Sequence, residues 1–318
     1  MTAYIIKRLV QLVVVLFIVT VMVFVGMRLL PGDPILMMVT RDQQTQMTQV
    51  QIDQLRHEAG LDRNVAVQYV SWVGGLFKGD LGKSIVYKTP VAREIIRRLP
   101  ITLHIGLLGW IVGTLLGVGA GILCAVKRGT WIDTFVTSLA NAGTTVPIFW
   151  LALVLVYIFA VQLRWLPVQG YTSPFENPLL NLRQIIMPVM CLAIFPLAST
   201  ARQTRSAMLG VLRQDYMRTA WSKGLGQRTV IVKHALKNSL IPIVTLSGMT
   251  LAFIVGGAVF EETVFNIPGI GRLATTAVQN QDYPYIQGVA LLVAVVVLVV
   301  NLLVDISYGW LDPRIRYS

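Results

Sequence analysis

The side chains that could carry out chemistry are few and widely separated in this 318-residue sequence. The three histidines, His57, His104 and His234, occur without a His-Glu-x-x-His or Cys-x-x-Cys motif, so no metal centre is indicated. Cys124 and Cys191 lie in apolar stretches, where a free thiol usually serves as a small packing group. A Gly-x-Ser-x-Gly nucleophile motif is also absent. We therefore predict that the chain is not an enzyme and binds no metal or cofactor itself.

One segment, Gly82-Lys83-Ser84, resembles the end of a phosphate-binding loop. The full motif requires a glycine five positions before Gly82, where this sequence has Phe77. No apolar strand precedes the segment, although the motif normally follows one. Nucleotide binding by this segment is therefore not predicted.

The composition predicts the kind of scaffold that must position these groups. Hydrophobic residues make up 55% of the chain and charged residues 13%, whereas a soluble domain has about 25% charged residues. Intrinsic disorder requires low hydrophobicity, and a disulfide scaffold requires more than the two cysteines present. The class that remains is an all-α protein that crosses a lipid bilayer several times.

Six apolar stretches are long enough, or nearly so, to span about 30 Å of hydrocarbon as helices. They are Leu9–Met27, Leu103–Val126, Phe135–Val161, Ile185–Thr200, Leu240–Phe260 and Gln287–Ile306. The first is not predicted to be a cleaved signal peptide, because its apolar run is too long and Arg28-Leu29-Leu30-Pro31 follows it. The fourth contains Pro188 and Pro196, which neighbouring helices in a membrane bundle can accommodate.

The distribution of charge predicts that both termini are cytoplasmic. The chain has 27 Lys and Arg against 15 Asp and Glu, a net charge of +12. With the N-terminus inside, the cytoplasmic segments hold 14 of the basic residues and three acidic ones, while the exterior segments are nearly balanced. Eight of those 14 lie between Arg202 and Lys237. Topology thus accounts for most of the positive charge, and no nucleic-acid partner is predicted.

The predicted organisation has four parts. Residues 1–28 form the first transmembrane helix, 29–100 an exterior loop, 101–310 a core with five further spans, and 311–318 a cytoplasmic tail. Within the exterior loop we predict a polar helix at Gln43–Gly60, an aromatic-bearing helix at the headgroup level over Val65–Phe77, and a short ramp over Val91–Leu99. The loop either meets a soluble partner or packs on the bundle as a lid.

Small residues and prolines indicate how the core helices pack. Four glycines of the second span recur every four residues and define a seam for close helix approach, namely Gly109, Gly113, Gly117 and Gly121. Thr145-Val146-Pro147 is expected to bend the third span. In the second to fifth spans the one ionisable residue is His104, which lies near the outer end of the second span, so an internal ion relay is not indicated. Any uphill movement of a solute would need energy from another polypeptide.

The predicted inner loop 202–238 is the polar segment with the clearest sequence pattern. Asp215 to Gly224 is predicted to be a short helix ended by glycine, and Arg228 to Asn238 a second helix that leads into the fifth span. Apolar residues cover one side of this second helix. A helix–glycine–helix arrangement on the inner face is suited to docking another protein.

The loop resembles the coupling loop of ABC-importer permeases, in particular the dipeptide, oligopeptide and nickel branch. The motifs that carry the resemblance run along nearly the whole chain: Pro31-Gly32-Asp33-Pro34, Gly79 to Ser84, Asp215 to Ala220, Lys223-Gly224-Leu225, His234 to Asn238, Pro242, Pro268 to Leu273, Asp282-Tyr283-Pro284 and Asp312 to Arg316. The general Glu-Ala-Ala motif of importers is replaced by Arg218-Thr219-Ala220, as is typical of the peptide branch. Trp221 and Ser222 stand where that branch is expected to have Arg-Ala.

The resemblance implies a MetI-like permease core in the bacterial cytoplasmic membrane, forming half of a translocation pathway for small peptides. The implied partners are a second homologous permease subunit, two ATP-binding subunits that hold ATP and Mg²⁺, an external substrate-binding protein and the lipid bilayer. The residues implied to couple to the ATPases are Asp215, Tyr216, Arg218, Thr219, Ala220, Lys223, Gly224, His234 and Leu236.

Residues at predicted bends and helix mouths are candidates for the pathway lining, namely Thr145, Pro147, Glu261, Glu262 and Asp282; each could equally be structural. The same family also includes importers of nickel complexes, glutathione-like peptides and opines. A stand-alone secondary carrier or channel, and a membrane-embedded enzyme, are the remaining alternatives.

Overall fold

A computed structural model describes residues 2–29, 48–58, 62–252 and 254–311, and every element in those ranges is helical. The helices are α1 (Thr2–Leu29), α2 (Gln49–Glu58), α3 (Val65–Phe77), α4 (Val91–Val126), α5 (Trp131–Thr145), α6 (Ile148–Leu155), α7 (Pro178–Leu212), α8 (Asp215–Ser222), α9 (Gln227–Thr229), α10 (Lys237–Ala252), α11 (Ile254–Gly257), α12 (Val259–Val264), α13 (Ile270–Gln279) and α14 (Tyr283–Leu311). Two π-helical segments, Val156–Gln162 and Val230–Leu236, extend α6 and α9. The predicted all-α class is confirmed.

Four helices in the described ranges are long and apolar enough to cross a membrane: Ile6–Leu29 in α1, α4, α7, and Tyr283–Ile306 in α14. They contain the first, second, fourth and sixth predicted spans. The predicted ramp over Val91–Leu99 is simply the first part of α4. α7 continues through both of its prolines, and the Ser199 hydroxyl donates to the carbonyl of Phe195, 2.7 Å away.

The third predicted span is not one straight helix. α5 and the helix that follows it, Ile148–Gln162, meet at an angle of 105°. The bend lies at Val146 and Pro147, whose ψ angles of 125° and 130° are extended. Proline has no N–H to donate and its ring disfavours the helical conformation of the residue before it. The bend expected at Thr145-Val146-Pro147 is thus confirmed.

The fifth predicted span, Leu240–Phe260, covers α10, α11 and the start of α12. Residue 253, between α10 and α11, lies outside the described residues. The chain leaves helical geometry at Ala258, just after Gly256 and Gly257, and glycine is a poor helix former.

The chain forms two compact units. The core unit comprises Thr102–Ile267 with the chain from Val297 onwards, and the flanking unit comprises Thr2–Ile101 with Pro268–Val296. In the core unit, the glycine seam of α4 packs directly on α7. A Cβ atom added at any of the four positions would lie 2.3–2.6 Å from an atom of α7, closer than real contacts allow. The predicted close-packing seam is therefore confirmed within the core.

In the flanking unit, α3 begins after Asn64, whose side-chain oxygen accepts a hydrogen bond from the amide of Ala66 at 2.9 Å. The helix predicted over Val65–Phe77 is confirmed with the same ends. Of the predicted polar helix Gln43–Gly60, the structure describes Thr48, which precedes the helix, and α2, and residues 43–47, 59 and 60 lie outside the described residues. The predicted motif at residues 31–34 and the tail at 312–318 also lie outside them.

Candidate functional site

The predicted loop 202–238 forms a bent structure, here called the elbow. Its first arm is α8, and its second arm is α9 with the π-helical segment that leads into α10. Between the arms, Gly224 has a φ of +72°, a left-handed conformation that glycine adopts readily and other residues adopt at a cost of about 1 kcal/mol or more. Its amide donates to the carbonyl of Trp221 at 2.9 Å. The predicted helix–glycine–helix arrangement is confirmed.

One side of the elbow is a small apolar core. Met208 of α7, Met217 of α8 and Val230 and Ala235 of the second arm are each fully buried. Ala220 lies one helical turn after Met217 and joins them, so the inward stripe of α8 has the three-residue spacing of a helix face. Leu236 packs against the same core. The two arms and the end of α7 are thereby held as one packed body.

The other side of α8 is exposed. The Asp215 and Arg218 side chains are 97% and 83% accessible and approach each other at 3.7 Å. Tyr216 and Trp221 present 44% and 46% of their surface. The loop therefore displays charge and two aromatic rings outward while its inner face is filled. Aromatic residues and arginine are the types most enriched where proteins bind each other tightly.

Polar contacts from the start of α10 reach both arms. The Asn238 side-chain amide donates to the Tyr216 hydroxyl at 3.2 Å and to the His234 carbonyl at 2.8 Å. The Thr219 hydroxyl donates to the Asp215 carbonyl at 3.3 Å, and Lys223 directly follows α8. The nine residues implied to couple thus lie together in the elbow. Ala220 and Leu236 contribute to its core, and the others lie on or beside its outer face.

An ion pair next to the elbow was missed by the sequence reasoning. Asp133, at the start of α5, is buried and accepts two hydrogen bonds from the guanidinium of Arg205 of α7, at 2.7 and 2.8 Å. The amide of Gly129 donates to the same carboxylate at 3.1 Å. The pair fastens α5 to the part of α7 that leads into the elbow. Its partners are 72 residues apart, and no local pattern joins them.

The pathway candidates Thr145 and Pro147 lie at the bend between α5 and α6. They line an open depression with Val146, Phe149 and Trp150. The Thr145 hydroxyl donates to the carbonyl of Asn141 at 2.9 Å, as serines and threonines within helices often do. The bend thus presents apolar side chains outward, with little polar chemistry available to a solute.

The candidates Glu261 and Glu262 are both fully buried in α12. Glu262 accepts a hydrogen bond from the Thr102 hydroxyl at 2.5 Å. The two carboxylate oxygens of Glu261 have no hydrogen-bond partner among the described residues. Adjacent carboxyl groups therefore have different surroundings, and neither is open to solvent in this chain by itself.

The candidate Asp282, in the flanking unit, is buried beneath the segment that follows Gly82. Its carboxylate accepts hydrogen bonds from the Ser84 hydroxyl and from the amides of Ile85 and Val86, at 3.2 and 3.4 Å for the two amides. Ser84 also accepts from the amide of Tyr87 at 2.7 Å. These contacts make Asp282 an anchor for the loop, and Ser84, part of the apparent phosphate motif, has a structural role there.

Comparison with known proteins covers almost the whole chain. Residues 117–317 match the family described as binding-protein-dependent transport system inner membrane component, and residues 1–106 match the N-terminal part of the membrane component of such systems. The chain belongs to this family. It is a multi-pass protein of the inner membrane and the permease component of an ABC importer. Permeases of this family are not themselves catalytic.

Individual relatives are similar to this chain along their full length. The di/tripeptide transport system permease protein DppB of Pseudomonas aeruginosa is 39% identical to this permease over 339 residues, covering all of both chains. A Brucella abortus chain named as a peptide transport system permease is 41% identical over 318 residues, again covering both chains completely. The resemblance drawn from the sequence motifs is confirmed.

A solved structure supports the fold. The MetNI methionine ABC transporter, in inward-facing conformations, contains a chain that matches 69% of this permease and 96% of its own length, with a TM-score of 0.53 and 16% identity. At that identity the likeness establishes the architecture alone. The predicted MetI-like permease core is therefore confirmed.

Proposed function

We propose that this permease forms half of the translocation pathway of an ATP-driven importer of small peptides, and that the elbow receives the motion of the ATPases. The observation that carries the coupling role is the two-sided construction of the elbow. Its inner face packs Met217 into the core beside Met208 of α7, while its outer face presents Tyr216, Arg218 and Trp221. A push on the outer face is therefore transmitted to α7 and α10 through packed atoms.

The excess of basic residues in the elbow supports a cytoplasmic position for it. The proposed topology has six spans with both termini inside, and residues 202–237 carry eight basic residues against one acidic residue. The long α7 leads into the elbow and α10 leads out of it. The bend after α5 and the departure from helical geometry at Ala258 are compatible with spans that line a pathway, where irregular backbone is tolerated.

The proposed assembly contains this chain, a second homologous permease subunit, two ATP-binding subunits and an external substrate-binding protein. ATP and Mg²⁺ are proposed to bind on the ATPase subunits, with no cofactor on this chain. The peptide substrate is supported by the names of the full-length relatives, one of which is a di/tripeptide permease. Thr145, Pro147, Glu261, Glu262 and Asp282 remain proposed pathway positions.

The test is reconstitution of the complete transporter in liposomes with its binding protein. We expect the binding protein loaded with a dipeptide or tripeptide to stimulate ATP hydrolysis and peptide uptake. Stimulation by a nickel complex, an opine or glutathione, with none by peptides, would overturn the peptide assignment. Transport by this chain without ATPase subunits would overturn the ABC-importer mechanism itself.

The coupling role is tested by Gly224→Pro. Proline requires a φ near −65°, whereas Gly224 has +72° and uses its amide as a donor, so the turn between the arms cannot form. We expect uptake to be abolished while membrane insertion remains normal. The matched control is Gly226→Pro two residues later, where φ is −60° and proline fits, and this variant should retain most activity. Normal uptake by Gly224→Pro would contradict the coupling role.

A further inference from the structure

The helix α3 has an apolar face that no described residue of the flanking unit covers. Val67, Val70, Gly74 and Phe77 recur at intervals of three and four residues and share one side of the helix. Val67, Val70 and Phe77 are 50%, 68% and 89% exposed, and no residue of α3 is buried. A 13-residue helix without a buried face is marginal in water, because isolated helices of this length gain too little to offset their ordering.

The opposite side of α3 is clamped to α1. Tyr69 and Trp72 contact the ring of Phe24, with centroids 5.4 and 5.8 Å away. The Tyr69 hydroxyl is 2.9 Å from the hydroxyl of Thr20, and the guanidinium of Arg28 donates to the side-chain carbonyl of Gln68. The crossing is therefore fixed by both packing and hydrogen bonds.

The position of the clamp sets the depth of α3. The apolar segment of α1 ends at Leu29, and Phe24 lies five residues earlier, which is about 7–8 Å along a helix axis. Helices that lie in the plane of a bilayer typically bury their apolar face about 5–10 Å into the boundary between headgroups and acyl chains. Met22 and Val25 of α1, near this level, are also apolar and exposed.

The charges around α3 fit such a position. The helix contains no charged residue from Val65 to Phe77, while the basic residues Arg63 and Lys78 directly flank it and are exposed. The nearby carboxylates are already engaged: Asp62 lies 2.6 Å from a ring nitrogen of His57, and Asp80 accepts from the amide of Gly82 at 2.9 Å. Exposed basic residues at both ends of an uncharged apolar helix complement lipid phosphates.

We propose that α3 is an interfacial anchor whose Val67–Val70–Gly74–Phe77 face is embedded among the phospholipids of the outer leaflet. The occupant of this face is lipid, and the anchor holds the middle of the exterior loop against the outer end of α1. The assignment to the outer leaflet rests on the topology proposed above.

The test uses the complete transporter in lipid nanodiscs, with one nitroxide label at a time on Val70→Cys and Phe77→Cys. Gln54→Cys on the polar helix α2 serves as the water-exposed control, and Met22→Cys on α1 as the lipid-exposed control. Electron paramagnetic resonance then compares access by oxygen, which concentrates in lipid, with access by a water-soluble nickel chelate. We expect labels at 70 and 77 to behave like the label at 22, with chelate access at least several-fold below that at 54.

Chelate access at 70 and 77 equal to that at 54 would overturn the proposal in favour of a water-exposed face. Low access by both reagents would overturn it in favour of coverage by a protein, either the second permease subunit or the binding protein. If one labelled variant fails to assemble, Val67→Cys reports on the same face. Oxygen access is measured without transport, so loss of peptide uptake would count against the proposed function and leave the anchor standing.

Discussion

The elbow and the loop held by Asp282 both connect helices, but they use their polar residues in opposite ways. In the elbow the apolar residues Met217 and Ala220 are inside and the polar groups of α8 point outward. In the other loop the carboxylate of Asp282 is inside, and the Ser84 hydroxyl and two backbone amides converge on it. The elbow is held by apolar packing and presents a polar surface to other proteins. The loop is held by hydrogen bonds that turn its central carboxylate inward.

This difference separates polar residues that are available to another protein from those that stabilise this chain. Asp215 and Arg218 pair in water, where an ion pair contributes little to stability, so both side chains remain accessible to another protein. Asp282 is itself buried and accepts hydrogen bonds from the Ser84 hydroxyl and from the amides of Ile85 and Val86. Within the flanking unit it therefore acts as an anchor for the loop.

Removing the buried anchor should have the largest effect. Asp282→Ala deletes the acceptor for three donors, and the loss of charged hydrogen bonds in a buried site costs about 3 kcal/mol or more. We expect residues 83–90 to open, and trypsin to cut after Lys83 and Lys88 about a hundredfold faster than in the unmodified protein. Timed proteolysis followed by mass spectrometry measures both sites. Asp80→Ala, which loses a single contact to Gly82, is the control; equal cleavage in the two variants would contradict the anchor.

The two faces of α8 can be separated by a pair of substitutions. Met217→Ala removes a fully buried side chain and should lower the free energy of unfolding by about 3 kcal/mol. Trp221→Ala removes an exposed ring, so stability should stay the same while affinity for the ATPase subunits falls at least about tenfold. Thermal unfolding and co-purification in mild detergent measure the two quantities. Loss of stability in Trp221→Ala with unchanged ATPase binding would show that the outward face is structural.

A third comparison sets a buried ion pair against an exposed one. Asp133→Ala leaves the Arg205 guanidinium without its two hydrogen bonds and should destabilise the protein by about 2 kcal/mol, since charged hydrogen bonds contribute about 1.5–3 kcal/mol. Asp215→Ala, on the exposed pair, should leave stability unchanged. Thermal unfolding of the two variants decides the matter. Equal stability would mean that Asp133 does not fasten α5 to α7.

Much of the fold was predictable because its signals are local. Hydropathy located the helices of the first, second, fourth and sixth spans, and the residues around Gly224 predicted the elbow. The missed features depend on distant partners: Arg205 with Asp133, and Ser84 with Asp282, which are 198 residues apart. No periodicity marks such pairs. The extent of the bend at Pro147 was also missed, because proline predicts that a helix ends but not the angle at which the next one leaves.

The smallest expected effect concerns a buried carboxyl that has no partner to lose. Glu261→Gln keeps the shape of the side chain and removes the possibility of an isolated buried charge, so stability and transport should change by less than about 1 kcal/mol or twofold. Asp282→Asn, by contrast, should be destabilising, because an amide can accept fewer of the three hydrogen bonds and brings two donors of its own. Thermal unfolding and uptake measure both variants. A strong loss of uptake in Glu261→Gln with normal stability would mean that Glu261 meets a cationic group during transport. The two buried carboxyl groups would then have different roles, with Asp282 anchoring a loop and Glu261 taking part in transport.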